Sequence, residues 1–298
     1  MGQFQDCVKA HMEKYNGQNK ELEGRKGGLW KGKPQPHILV DNKNDWKLNL
    51  MLPYREQGTL VQDIESGVIK KHMYAHHLNS SQIMCMNFFY PLMQENKLDV
   101  ILKFINPKIN WGKPIALFEY NSPMEVGRAA EMNCVKKFGE PTNFDFFITT
   151  SNGYRLYFEI KYTEAEFGTP EKVKDATDIK RFPPQYFGKF DVYKTLMPRC
   201  IEAKKKDDAI FFLEHYQLMR NLIHLQSSND YVIFLVPEDN PIIDDAKEIR
   251  KILTAHEDNC KVVGWKEIWQ FVYRKVKNDT KLANYYAEFE EKYLRYKK

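Results

Sequence analysis

Residues 143–163 read NFDFFITTSNGYRLYFEIKYT, and the way this stretch pairs with itself decides the fold. Two runs rich in aromatic and β-branched residues, 143–150 and 154–163, flank Ser151-Asn152-Gly153, which is the composition of a β-hairpin. Side chains alternate faces along a strand, so a slip of one residue in the pairing turns every side chain to the opposite face. With a three-residue loop and Gly153 in the left-handed conformation, Thr150 pairs with Tyr154. The same register sets Asp145 opposite Glu159, with Cβ atoms roughly 4.5 to 5.5 Å apart, and places Lys161 on the same face. A two-residue Asn152-Gly153 turn would instead set Asp145 against Ile160 and send Glu159 to the other side.

Two carboxylates at that distance repel each other, and Lys161 is the cation that shares their face, so the pair calls for a divalent ion. Oxygen donors suit Mg2+, with Mn2+ as an alternative, because Mg2+ takes one or two carboxylates and keeps several waters. Lys161 can orient or deprotonate an attacking water, or neutralise charge building on a phosphate. The other reading of these residues is a set of solvent-facing charges on an edge hairpin. Leu156, Phe158 and Ile160 on one strand, with Phe144, Phe146 and Ile148 on the other, predict one buried face with the charged residues gathered on the opposite one.

Upstream, the spacing of apolar residues predicts a helix over 4–15, a Gly-, Lys- and Pro-containing loop over 24–36, and a helix over 60–76. Asn79, Ser80 and Ser81 supply caps for a further helix that Pro91 should end near Leu92. A buried strand over 115–120 follows, then a short helix carrying Met124, Ala129, Ala130 and Val135. Downstream come a long helical run over 208–226, an apolar strand over 230–237, a helix over 244–256, a strand over 260–264, and helices over 266–277 and 280–296. Gln217, Arg220, Asn221 and His224 recur at helical spacing and form a polar stripe that can face the site, with a structural role as the alternative for Asn221 and His224.

The composition sets limits around this. The 298 residues, 43% hydrophobic and 29% charged, suit a soluble globular chain, one domain with elaborations. The longest apolar run, 231–236, is too short to cross a bilayer, and the N-terminus lacks the basic-then-apolar layout of a secretory signal. The expectation is a cytoplasmic protein with no membrane partner. Five scattered cysteines without a Cys-x-x-Cys pair suggest neither a disulfide framework nor a zinc finger. His72 and His76 are four apart but lack the glutamate and third ligand of a zinc site. The net charge of +5 permits a polyanionic partner. Residues 170–206 carry ten basic side chains against five acidic ones, which reads either as a solvated helix face or as a phosphate track beside the site.

Asp145 in Phe-Asp-Phe-Phe, followed after a hairpin by Glu159-Ile160-Lys161, resembles the PD-(D/E)XK nuclease superfamily, although Phe144 stands where that motif has proline. More specifically, His77-Leu78-Asn79-Ser80-Ser81-Gln82, Asn87-Phe88-Phe89-Tyr90-Pro91-Leu92, Phe118-Glu119-Tyr120, Glu159-Ile160-Lys161-Tyr162-Thr163-Glu164 and Tyr216-Gln217-Leu218-x-Arg220-Asn221 are similar to a bacterial family of restriction-endonuclease-like proteins. The likeness spans about residues 74–237, and it implies a 74–240 core with an N-terminal elaboration (1–73) and a C-terminal helical extension (241–298) packed on it. It implies an α/β fold with a restriction-endonuclease-like αβββαβ core, a mixed central sheet flanked by helices, and N- and C-terminal helical additions. It also implies a Mg2+-dependent endonuclease with Asp145, Glu159 and Lys161 as catalytic residues. Asp145 and Glu159 would hold the metal and Glu119 is a candidate third acid, or else the partner of a lysine. Gln82, Gln217, Arg220 and Glu164 would support the site, Gln82 having a helix cap and Glu164 a strand-end charge as alternatives. Nucleic acid is the implied partner, DNA ahead of RNA, and a homodimer is compatible with the sequence. The competing function is a nuclease-fold module that binds nucleic acid or protein without cleaving by itself.

Overall fold

The computed structural model describes residues 3–133, 140–174 and 180–297. Near the N-terminus the stretch expected as a loop is a β-hairpin, β1 (Lys26–Trp30) and β2 (Lys33–Leu39), turning through Lys31 and Gly32. Both turn residues have positive φ, +50° and +75°. That is the geometry of a tight hairpin turn, and a lysine in the first position does not advertise it.

The central sheet has five strands: β3 (Pro114–Asn121), β4 (Asn143–Thr150) and β5 (Arg155–Ile160), then, past the short pair β6 (Val173–Lys174) and β7 (Lys180–Arg181), β8 (Asp230–Val236) and β9 (Cys260–Gly264). Their order is β3-β4-β5-β8-β9. The first three run antiparallel and the last two join parallel to β5, so the sheet is mixed. With helices Ser81–Gln94 before β3 and Tyr216–Leu222 before β8, the order is the αβββαβ of a restriction-endonuclease-like core, and helices flank the sheet. Helices Asp99–Ile105 and Pro123–Glu131 are inserted on either side of β3, and β9 extends the sheet beyond residue 240.

The β4–β5 register is that of the three-residue loop. Gly153 has φ +80°, its N–H donates to the Thr150 carbonyl (2.9 Å), and Thr150 N–H donates to the Tyr154 carbonyl (3.0 Å). Phe146 then faces Phe158, and Phe147 faces Tyr157. A Cβ added at Gly153 would meet only Asn229 Nδ2, at 4.0 Å, so Gly153→Val probes the backbone alone. The left-handed penalty of about 1–2 kcal/mol predicts a Tm lowered by a few degrees, measured by thermal melting.

Both faces of the sheet are covered, which corrects the expectation of a single buried face. On one side Phe146, Ile148, Leu156, Phe158 and Ile160 pack with helices Ser81–Gln94, Trp265–Val276 and Thr280–Tyr293, and Phe89 stacks on Phe146 at 4.2 Å. On the other, Phe147, Tyr157, Val232 and Phe234 pack beneath helices Pro184–Leu196, Ala209–Glu214, Tyr216–Leu222 and Ile242–Arg250. None of the helices among the described residues is long and apolar enough to cross a membrane.

Three helix expectations are also corrected. Pro91 lies inside the Ser81–Gln94 helix instead of ending it. The carbonyl that loses its intrahelical donor, that of Asn87, accepts from the buried Tyr285 hydroxyl at 2.7 Å. The expected 60–76 helix stops at Glu65, where Gly67 with φ +80° turns the chain toward β2. The 208–226 run breaks at His215 into Ala209–Glu214 and Tyr216–Leu222. Val135, expected on the helix after β3, lies outside the described residues.

The terminal helices meet around Lys292, which is buried and donates to the Asn49 carbonyl (2.6 Å) and Oδ1 (2.9 Å). Burial, aided by Arg55, pulls this ammonium down from its ordinary 10.5 to about 7. Between those values the unfolded chain binds more protons than the folded one, so the contribution of Lys292 to stability rises with pH across that window. Tm measured from pH 7 to 9.5 should climb less in Lys292→Met than in the wild type.

Candidate active site

Glu119, Asp145 and Glu159 lie on three adjacent strands at one level of the sheet. In the β3–β4 ladder Phe118 pairs with Phe146 and Tyr120 with Phe144, and the position between them, Glu119 beside Asp145, is unpaired. The regular β4–β5 ladder ends at Phe146 and Phe158, one step short of Asp145 and Glu159. Face alternation fails at this level: Phe118 and Phe146 join the core on one side, whereas Phe144 joins the core on the other and Tyr120 packs against it. Glu119 has φ +52°, a left-handed conformation that costs a residue with a side chain about 1–2 kcal/mol. The irregularity takes two carboxylates out of regular alternation at the centre of the sheet.

Each acid is then held differently. Asp145 Oδ2 accepts from the Ile160 N–H at 2.7 Å, so its carboxylate stands in for the ladder carbonyl. Glu159 is 2% exposed and fully engaged. Its Oε1 accepts from Gln217 Nε2 (2.6 Å) and pairs with Lys161 Nζ (2.9 Å), and its Oε2 accepts from Asn221 Nδ2 (3.0 Å). Gln217 and Asn221 are four apart on one helix, so both reach down to the same carboxylate. Glu119 Oε1 accepts from Gln82 Nε2 at 2.7 Å. Gln82 is no simple cap: its amide also donates to the Lys70 carbonyl and its Oε1 accepts from His72 N–H, fastening the 70–72 segment to the site.

The charges are unbalanced. Burial first, then Glu159 and Glu119, push the Asp145 carboxyl far above the ordinary aspartate range. Glu119 is raised to about 7, by burial first and by Glu159, against the Gln82 hydrogen bond. Burial works against the Lys161 ammonium, but Glu159, Glu164 and Asp145 outweigh it and raise its pKa. The three acids crowd one another, with the Lys161 ammonium paired to Glu159, and that repulsion favours the protonated forms of Asp145 and Glu119. A divalent cation displaces such protons, and the acids least wrapped by protein donors, Asp145 and Glu119, are partly open. No three His, Cys, Asp or Glu side chains among the described residues form a ready metal cage. Two carboxylates and the waters that complete a shell are the donors a hard divalent ion would find here.

The remaining expected site residues fall elsewhere. Glu164 Oε2 accepts from Tyr162 N–H at 2.6 Å, closing the turn after Lys161. Arg220 meets Glu125 (3.3 Å) and the Glu140 carbonyl (3.2 Å), away from the three acids. His224 is buried against Phe144, with Nε2 on Ser122 Oγ at 2.7 Å. The polar stripe thus splits, Gln217 and Asn221 to the acids and Arg220 and His224 to Glu125. In the basic segment, Lys172 and Lys205 lie over the rings of Phe182 and Phe211, and Lys194 pairs with Asp207 at 2.8 Å.

Residues 9–294 match the model of the family described as Restriction Endonuclease associating with ARP, and the chain belongs to that family. No curated protein and no solved structure matches it.

Proposed function

We propose that this chain is a Mg2+-dependent endonuclease, with Mn2+ as a substitute, that hydrolyses phosphodiester bonds in DNA. The observation that carries the reading is the grouping of Glu119, Asp145 and Glu159 on adjacent strands with the Lys161 ammonium 2.9 Å from Glu159. Asp145 and Glu159 would hold the ion, with Glu119 beside them as an alternative acid, and the ion when bound supplies Lewis-acid polarisation of a phosphate and a water of lowered pKa. Gln217 and Asn221 aim Glu159. Lys161, kept protonated by the acids around it, offsets negative charge as it builds on the phosphate. Gln82 holds Glu119 in place from the neighbouring helix.

The test is incubation of the protein with plasmid, single-stranded DNA and RNA in Mg2+ or Mn2+, with Asp145→Asn alongside. Cleavage of DNA by the wild type and its loss in Asp145→Asn is the expected result. Equal cutting by both would sink the assignment, and preference for RNA would move the substrate. The complete occupation of Glu159 by Gln217, Asn221 and Lys161 favours one second reading, a nuclease-fold module that binds without cutting. Calorimetric titration with Mn2+ separates the two, since the nuclease binds the ion and loses it in Asp145→Asn.

A further inference from the structure

Helix Gln3–Gln18, the N-terminal hairpin and the segment leading into the Ser81–Gln94 helix line an open-sided cavity of about 580 Å³ whose wall includes Thr163 and Glu164, just beyond Lys161. That volume lies in the range of sites for small organic groups. Its walls are rich in rings. Trp30 on β1 meets Tyr74 at 5.2 Å and His77 at 5.6 Å, Tyr74 meets His72 at 5.3 Å, and His37 on β2 meets His77 at 6.5 Å. The cage is tied in place: Leu39 N–H donates to the His76 carbonyl and Leu78 N–H to the His37 carbonyl. Asn79 Nδ2 donates to Thr163 Oγ1 at 2.8 Å, and Gln82 joins His72 to Glu119. A ligand in the cage therefore sits in a fixed relation to the three acids.

We infer that this cavity is a subsite for one unstacked nucleobase of the nucleic acid whose phosphodiester lies at Asp145, Glu159 and Lys161, an inference that rests on the nuclease reading. Aromatic walls stack on any base, because every base has a π-face. Phosphate is the wrong occupant, since Asp6 and Glu164 oppose one ammonium, Lys9, around the cavity. The histidines add no cation at neutral pH: burial pulls His37 down to about 4, and burial with the neighbouring histidines pulls His77 down to about 3. A neutral imidazole offers one donor and one acceptor nitrogen, which matches the hydrogen-bonding edge of a base. A base stacked in duplex cannot enter such a cage, so the occupant comes from a single strand, an end or an extruded nucleotide. The N-terminal elaboration, on this assignment, selects substrate.

The test is the affinity of fluorescein-labelled single-stranded DNA, followed by anisotropy in EDTA, where metal-dependent cutting is off. Trp30→Ala should weaken binding about tenfold, and Trp30→Phe should recover most of the loss. Tyr74→Leu, from a separate segment, should behave like Trp30→Ala. A strand of abasic sites needs no variant: it should bind the wild type about tenfold more weakly than the normal strand and lose nothing further in Trp30→Ala. If the wild type binds and cuts DNA but abasic and normal strands bind alike, or Trp30→Ala with an unchanged Tm binds as the wild type does, the subsite is refuted and the nuclease stands. If the wild type neither binds nor cuts any nucleic acid, both fall.

Discussion

Lys161→Ala is expected to slow phosphodiester cleavage by on the order of 10²- to 10⁴-fold in saturating Mg2+, while affinity for Mn2+ is unchanged or tighter. On the proposed function the two readouts would diverge, because Lys161 would compete with the metal as well as aid the reaction. It is the ammonium that offsets the three acids, 12% exposed and paired to a Glu159 side chain that is 3% exposed. Its removal leaves Glu159 to Gln217 and Asn221 and raises the local negative charge, which favours a divalent ion. The same removal would take away the charge proposed to meet the phosphate in the transition state. Asp145→Asn, in contrast, should lose cleavage and metal binding together. Initial rates on plasmid DNA and calorimetry with Mn2+ read the two effects, and a Lys161→Ala protein that cuts at the wild-type rate contradicts the role given to it.

The second large effect is on stability and lies beside the site. Glu125 is completely buried, accepts from Thr142 N–H (3.1 Å) and the Tyr193 hydroxyl (3.2 Å), and pairs with Arg220 at 3.3 Å. His224 lies 3.9 Å away, and burial holds its ring neutral, with a pKa near 3, so it brings no charge to the pair. Breaking a buried pair from one side costs about 3–5 kcal/mol, and the partial exposure of Arg220 argues for about 3. Glu125→Ala should therefore lower Tm by roughly 6–12 °C. Glu125→Gln, which keeps an acceptor, should lose less. Cleavage at 25 °C should stay within about twofold of the wild type in both, because neither Glu125 nor Arg220 touches the three acids. A large loss of cleavage at full stability would return Arg220 to the residues that support the site.

What the sequence determined by itself is local. The sequence narrowed the hairpin to two registers, and the three-residue loop with a left-handed glycine is the one observed, setting the pairing from Thr149 and Arg155 to Phe146 and Phe158. From that register Asp145 and Glu159 share a level, and the apolar runs around them are legible as strands. The β1–β2 hairpin was not, since a Lys-Gly turn with few apolar neighbours carries a weak signal. Tertiary structure alone decided what surrounds the acids. The face read as polar is roofed by the Tyr216–Leu222 helix, and the sequence marked Gln217 and Gln82 as supporting residues, but only the packing pairs Gln217 with Glu159 across 58 residues of chain and Gln82 with Glu119 across 37. The left-handed backbone at Glu119 and the loss of alternation at Asp145 belong to the same class. Such contacts follow from how distant elements pack. A one-dimensional pattern shows which face of a strand is polar, but the partner that face meets is set by the whole core.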